Sequence, residues 1–188
     1  MSSVPLPHRV SVDEYLAREL TSEIRHEYVA GRLYAMVGVR DRHNLIAVAL
    51  ASTLRAHARD RGCQTFLSDV KLRLRVAGED IFYYPDLMVC CDPEDRAPYW
   101  RSRPCLVVEV LSEASERIDR REKLLAYMTL ETLEAYLLVS QDRIEVTLYQ
   151  RANAWRVEIL TEGEVPIPCL GASVPLSAIY EDVPELTR

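Results

Sequence analysis

The sequence predicts a mixed α/β fold in one domain covering residues 1–188, with its core between about residues 10 and 180. A chain of 188 residues suits one domain with a sizeable core. A hydrophobic content of 48% and a mean hydropathy of −0.10 are typical of a soluble globular protein. Strand-like runs alternate with longer helical patterns in the order hairpin, helix, strands, helix, strands. This order predicts a mixed α/β fold.

The amino-terminal region predicts a short helix followed by a β-hairpin. In SVDE, Ser11 and Glu14 have the spacing of a capping box, which opens a helix that we expect to continue through about Glu19. The stretch RHEYVAGRLYAMVG then has two strand-like halves around Ala30 and Gly31. This pattern predicts a tight turn between two antiparallel strands.

A long helix is predicted from Asp41 to about Arg61. The segment is rich in Ala and Leu, and Gly62 follows it at the position where a left-handed residue commonly ends a helix. The apolar residues expected to pack against a sheet are Leu45, Ala49, Leu50 and Leu54.

The remaining elements are strands on either side of a second helix. VKLRLRV alternates apolar and basic residues, which indicates a strand with one polar face. The other predicted strands are FYYPDLMV, CLVVEVL and three closing segments, EAYLLVS, RIEVTLYQ and AWRVEIL, and the predicted helix covers residues 116–130. The result is a mixed central sheet flanked by helices, with an N-terminal β-hairpin and extra C-terminal strands.

Two of these apolar strands each contain one carboxylate, Asp86 and Glu109. A buried carboxylate without a partner is costly, and two that share a site cannot both remain ionised without a cation between them. A hard divalent ion such as Mg²⁺ is bound by one or two carboxylates together with water and phosphate oxygens. Pro85 removes a ladder donor directly before Asp86, so the strand can bend there and direct the carboxylate out of the sheet.

The order of PD at 85–86, VVEVLS at 107–112 and DRREKLLAY at 119–127 resembles the PD-(D/E)XK nuclease superfamily. HEYVAGRLYAM, the His-containing start of the long helix and LEAYLLV resemble its Uma-type branch of restriction endonuclease-like proteins. The resemblance implies a restriction endonuclease-like core and a DNA endonuclease that depends on Mg²⁺ or Mn²⁺. It also implies that Asp86 and Glu109 are metal ligands, that Glu27 is an additional acid at the metal and that Lys123 is catalytic.

One position departs from the superfamily pattern, since Leu111 stands where a lysine usually follows the second acid. The resemblance therefore moves that lysine to the next helix, as Lys123. Composition supports this assignment weakly, because only Lys71 and Lys123 among the 23 basic residues are lysines. Lys123 would position or acidify the attacking water and stabilise developing charge.

Each candidate also has a purely structural interpretation. Glu109 could pair with an arginine in the core, Glu27 could lie on an exposed hairpin face, and Lys123 could belong to a solvated charged surface. His43 could orient a ligand, although a helix-end or partly buried histidine is the commoner case. The second hypothesis for the whole chain is accordingly a non-catalytic DNA-associated or protein-interaction module that retains the nuclease fold.

Charge, cysteines and hydropathy constrain partners and location. The net charge of −6 opposes DNA binding by the whole surface, so any DNA contact is expected at a local groove. The charge is uneven, since residues 1–80 carry 12 basic and 10 acidic side chains. The five cysteines lack metal-binding or disulfide spacing and are expected to be small buried hydrophobes. No signal peptide or membrane span is evident, which predicts a cytoplasmic protein. We expect a homodimer, because cutting both strands of a duplex requires two active sites.

Overall fold

The computed structural model describes residues 9–36, 38–112 and 116–187. Its helices are α1 Val12–Glu19, α2 Asp41–Asp60, α3 Glu116–Ile118, α4 Leu124–Tyr127, α5 Leu176–Ile179 and α6 Pro184–Thr187. Its strands are β1 His26–Val29, β2 Arg32–Ala35, β3 Gln64–Leu67, β4 Lys71–Val76, β5 Glu79–Tyr83, β6 Leu87–Cys90, β7 Trp100–Arg101, β8 Leu106–Leu111, β9 Ala135–Ser140, β10 Val146–Gln150, β11 Val157–Leu160, β12 Glu164–Ile167 and β13 Ala172–Pro175. A π-helical turn, Asp119–Lys123, joins α3 to α4.

The central sheet has six strands in the order β11-β10-β9-β8-β6-β3. Strands β8 and β9 are parallel and the other neighbours are antiparallel, so the sheet is mixed as predicted. Because side chains alternate along β8, Val108 and Val110 pack with α2 on one face, while Val107 and Leu111 pack with α4 on the other. Glu109 shares the second face and is therefore directed toward the α3–α4 segment.

A second sheet has five strands in the order β2-β1-β5-β4-β7 and contains the N-terminal hairpin. The predicted hairpin turn is confirmed, because Ala30 and Gly31 both have positive φ angles, of 50° and 88°. Strand β5 belongs to this sheet and β6 to the central sheet, so the apolar run around Pro85 is two strands rather than one. Pro85 stands at the crossing between the sheets, where a missing backbone donor is tolerated.

The helix predictions are largely confirmed, with two corrections. Helix α2 ends one residue before the predicted boundary and is followed by Gly62 at a φ of 70°. Leu45 is 36% exposed, and Ile46 takes the expected place in the core. The second helical segment ends at Tyr127 rather than residue 130 and is widened by the π turn, because Asp119 and Lys123 both turn inward from it.

The prediction for the cysteines was wrong for one pair, since Cys63 and Cys91 form a disulfide. Strands β3 and β6 are antiparallel with Gln64 opposite Cys90, so the same register sets Cys63 beside Cys91. Sequence spacing could not reveal this pair, because strand pairing creates the proximity. Cys90 and Cys105 are buried free thiols, as predicted, whereas Cys169 is a free thiol that is only partly buried. Within the described ranges, no helix is long and apolar enough to cross a membrane.

Candidate active site

The ammonium group of Lys123 lies among three carboxylates. Its Nζ is 3.0 Å from Glu27 Oε1, 3.1 Å from Glu109 Oε1 and 3.2 Å from Asp119 Oδ1. The side chains of Lys123, Glu109 and Asp119 are each less than a tenth exposed. Lys123 is therefore part of a buried charged cluster and not of a solvated surface.

Three separate parts of the chain supply this cluster. Glu27 comes from β1 of the hairpin sheet, Glu109 from β8 of the central sheet, and Asp119 and Lys123 from the π turn. Tyr127, one helical turn after Lys123, donates a hydrogen bond to Glu109 Oε1 at 2.8 Å. The hairpin sheet, the central sheet and the second helical segment meet at this point.

Asp86 lies beside the cluster with partners of its own. The β6–β8 register pairs Leu87 with Val108, which sets Asp86 opposite Glu109 at the point where β6 begins. The backbone N–H of Val110 donates to Asp86 Oδ2 at 2.7 Å. His43 Nε2, from the first turn of α2, lies 3.2 Å from the same oxygen. Asp86 and Glu109 are thus neighbours across an antiparallel strand pair.

Burial and the charges of neighbouring groups together shift the pKa values of Glu109 and Lys123. Burial raises the pKa of Glu109 well above its usual value, Lys123 opposes that rise, and Asp119, Asp86 and Glu27 add to it. Burial alone lowers the pKa of Lys123, but the Glu109, Glu27 and Asp119 carboxylates outweigh it, so the net pKa is raised. Lys123 therefore stays protonated among the three carboxyl groups that it contacts.

A cavity of about 470 Å³ opens onto these residues. Its lining includes the four predicted site residues, Glu27, Asp86, Glu109 and Lys123. In the described part of the chain, four buried side-chain atoms lack a hydrogen bond, and two of them, Asp119 Oδ1 and Gln141 Oε1, belong to residues that line this cavity. Asp119 Oδ1 is close to Lys123 Nζ but makes an ion pair without hydrogen-bond geometry.

The donor set suits a hard cation by its chemistry. Carboxylate and amide oxygens are the ligands that Mg²⁺ and Mn²⁺ take in proteins, and unpaired acceptors with excess negative charge favour a bound cation. Among the described residues, however, no three His, Cys, Asp or Glu side chains already converge as a metal-binding group. The Lys123 ammonium group lies where three of the carboxylates meet.

Four neighbours of the site, Asp119, Tyr127, His43 and Gln141, were not predicted as site residues. Asp119, Lys123 and Tyr127 are four residues apart in sequence, so they share one helical face, and this spacing was available as a signal. His43 was considered as a residue that could orient a ligand, with a helix-end or partly buried histidine as the commoner case, and the structure places it against Asp86. Gln141 follows directly after β9 and had no sequence signal of its own.

The fold has a counterpart among solved structures. A crystal structure of "a putative nuclease belonging to DUF820 from Anabaena variabilis ATCC 29413" matches with a TM-score of 0.71 over 92% of this chain and 98% of that chain. Sequence identity is 17%, so this likeness concerns the fold alone. The chain is a mixed α/β protein similar in fold to that structure, as the sequence predicted.

Sequence comparisons define the family. Residues 12–177 match the Uma2 family model, described as "Putative restriction endonuclease". Two relatives from Synechocystis sp. (strain ATCC 27184 / PCC 6803 / Kazusa) are both described as uncharacterized proteins. One is 34% identical over 182 residues, covering 95% of this chain and 94% of the relative; the other is 32% identical over 152 residues, covering 79% and 84%. The chain belongs to the Uma2 family, which confirms the resemblance seen in its motifs.

Proposed function

We propose that this chain is an endodeoxyribonuclease that hydrolyses phosphodiester bonds of DNA with Mg²⁺ or Mn²⁺. The observation that carries the proposal is the meeting of Glu27, Asp86, Glu109 and Lys123 at one cavity, although they come from four separate chain segments. The family description and the nuclease named in the solved relative support the same reaction class.

In this proposal Asp86 and Glu109 hold the metal ion, and Glu27 binds a second ion or orients the first. When bound, a hard divalent ion supplies Lewis-acid stabilisation of the phosphoryl oxygens. The Lys123 ammonium group positions the attacking water and stabilises the negative charge that develops on the phosphate. Val110 and His43 orient Asp86 through its Oδ2 atom, which leaves Oδ1 for a ligand.

A plasmid-nicking assay with Mg²⁺ or Mn²⁺ tests the proposal. We expect the wild type to nick supercoiled DNA, and Asp86→Ala and Glu109→Ala each to lose activity by orders of magnitude, because each removes a metal ligand. Glu94→Ala is the matched control, since it removes an acid from an exposed loop and should retain activity. Full activity in either site variant, with its fold checked by circular dichroism, would contradict the assignment.

The second candidate is a DNA-associated or protein-interaction module that retains the fold without catalysis. The position of Lys123 favours it, because the ammonium group already neutralises part of the charge that a metal ion would neutralise. DNA binding by the wild type without metal-dependent nicking, over a range of Mg²⁺ and Mn²⁺ concentrations, would support the module and reject the nuclease.

Double-strand cleavage further requires two sites, and the proposal therefore includes a homodimer related by a two-fold axis. Light scattering at micromolar concentration should give twice the mass of the chain. A monomer under these conditions would leave nicking as the activity and exclude this route to double-strand cleavage.

A further inference from the structure

A second, smaller cavity of about 170 Å³ shares one lining residue, Tyr84, with the candidate active site. Tyr84 lines both cavities and precedes Asp86 by two residues, so their Cα atoms are at most about 7 Å apart. The cationic residues that line the smaller cavity are Lys71 and Arg25. The chain has two lysines, and the proposed nuclease reaction uses Lys123 but not Lys71.

Lys71 is buried without an ion-pair partner in the described part of the chain. The residue is 6% exposed. Its ammonium group makes a cation–π contact with Tyr84, with Nζ 5.2 Å from the ring centroid. Burial lowers the pKa of Lys71, Glu19 partly offsets this effect, and Arg25 lowers the pKa further. Lys71 and Arg25 thus line the same cavity, and of the two only Lys71 has no carboxylate within ion-pair distance among the described residues.

Two acids, Glu19 and Asp69, also line this cavity, and each has a partner other than Lys71. Glu19 Oε1 accepts hydrogen bonds from the His26 backbone N–H at 2.8 Å and from the Tyr84 hydroxyl at 3.1 Å. Glu19 Oε2 lies 3.3 Å from His26 Nδ1. Asp69 is largely exposed and contacts Arg25 through Nε at 3.3 Å, so it holds the guanidinium group beside the cavity. Neither acid lies within ion-pair distance of Lys71 among the described contacts.

We propose that Lys71 and Arg25 form a binding site for a phosphate group, and that its physiological ligand is a backbone phosphate of DNA lying next to the one cleaved at the first cavity. A phosphate group is bound by lysine through its compact positive charge and by arginine through two parallel N–H donors. One residue of each type lines this cavity. Successive phosphates on one strand are separated by about 3.4 Å of helix axis, so a strand at the first cavity brings further phosphates past Tyr84. The assignment to DNA rests on the proposed nuclease function, whereas the phosphate site itself does not.

The first experiment measures free phosphate. Thermal melts with inorganic phosphate at constant ionic strength should show a rise in Tm for the wild type and for Arg75→Gln. Arg75 is the matched control, because it lies on the same strand, is exposed and does not line the cavity. Lys71→Met and Arg25→Gln should lose most of that rise. Arg25 is 42% exposed, so its variant tests the site without altering the core. An undiminished phosphate response in both variants would overturn the site.

The second experiment separates DNA from free phosphate. Binding of a short duplex is measured by fluorescence anisotropy at several salt concentrations, in an Asp86→Asn background that prevents cleavage. Adding Lys71→Met should weaken binding roughly tenfold and reduce the salt slope by about one relative to Arg75→Gln. Equal affinity and slope in the two variants would overturn the DNA assignment and leave a site for free phosphate.

The two proposals can fail separately. The anisotropy measurement needs no catalysis, so absence of nicking by the wild type would reject the nuclease and leave the phosphate result unaffected. Normal nicking with no effect of Lys71→Met on phosphate or DNA binding would reject the second site and leave the nuclease intact.

Discussion

Lys123 donates a buried hydrogen bond to Glu109, with Nζ 3.1 Å from Oε1, and so joins the π turn to the central sheet. The same nitrogen also contacts Glu27 of the hairpin sheet. One ammonium group thereby connects three elements that are far apart in sequence. Its loss would leave buried carboxylates without their counter-ion, which makes this position sensitive for stability as well as for the proposed reaction.

Replacing Lys123 with arginine should not preserve nuclease activity. The guanidinium group is larger and planar, so it cannot replace the compact ammonium group that the three carboxyl groups surround. Lys123→Arg should therefore reduce nicking by about 100-fold or more. Nicking rates are compared with those of Arg121→Lys, an exchange between the same residue types at an exposed position of the π turn. Wild-type rates in Lys123→Arg would mean that Lys123 has only a structural role.

The stability of the metal-free protein should depend on pH through Glu109. Its pKa is raised in the folded state, so its contribution to stability is complete below pH 4.5, its ordinary pKa, and is lost as the pH rises through the folded value. Glu109→Gln keeps an acceptor for Tyr127 and removes this titration. In chelator, the urea midpoint of the wild type should fall relative to that of Glu109→Gln between pH 4.5 and neutral pH. Parallel pH profiles would contradict the assigned direction.

A divalent ion should stabilise the folded protein if Asp86 and Glu109 hold it. Binding only to the folded state raises stability by about 2.7 kcal/mol at a hundredfold excess over Kd. Thermal melts in chelator and in Mn²⁺ should therefore differ for the wild type and much less for Asp86→Asn. Glu94→Gln should respond like the wild type. No shift for the wild type at millimolar Mg²⁺ or Mn²⁺ would argue against the metal site before any DNA is tested.

The Tyr127 hydroxyl should stabilise the ionised form of Glu109. Tyr127→Phe removes a buried donor at 2.8 Å and should cost about 1–3 kcal/mol of the free energy of unfolding. Tyr83→Phe is the control, because Tyr83 is also buried and its hydroxyl makes no hydrogen bond to the described residues. Denaturant melts of Tyr127→Phe, Glu109→Gln and the double variant should show coupling between the two positions. Strict additivity would mean that the hydroxyl stabilises the ionised carboxylate no more than the side-chain amide of Glu109→Gln.

Reduction of the Cys63–Cys91 disulfide should destabilise the protein. The bridge spans 28 residues, and loop-closure entropy predicts a loss of roughly 3–4 kcal/mol on reduction. Thermal melts with and without dithiothreitol should differ for the wild type. Cys63→Ala should resemble the reduced protein and show little further response to the reductant. Equal melting of the oxidised and reduced wild type would exclude a stabilising role for this bridge.

The sequence alone determined the local elements and the residues proposed for the site. Capping by Ser11, the Ala30-Gly31 turn and Gly62 after the long helix depend on local backbone preferences, which a short segment carries by itself. Asp86 and Glu109 could be selected because each is a carboxylate inside an apolar strand-like run, whereas Glu27 and Lys123 were selected through the resemblance to the nuclease family.

Only the tertiary structure decided which residues meet. The division of one apolar run between two sheets at Pro85, the disulfide between Cys63 and Cys91, and the contact of His43 with Asp86 all depend on strand register and sheet order. The burial of Lys123 among three carboxylates and of Lys71 against Tyr84 likewise depends on how the sheets and the helical segment pack. Such contacts join residues far apart in the chain, and their energies arise from burial and Coulomb interactions that no local segment contains.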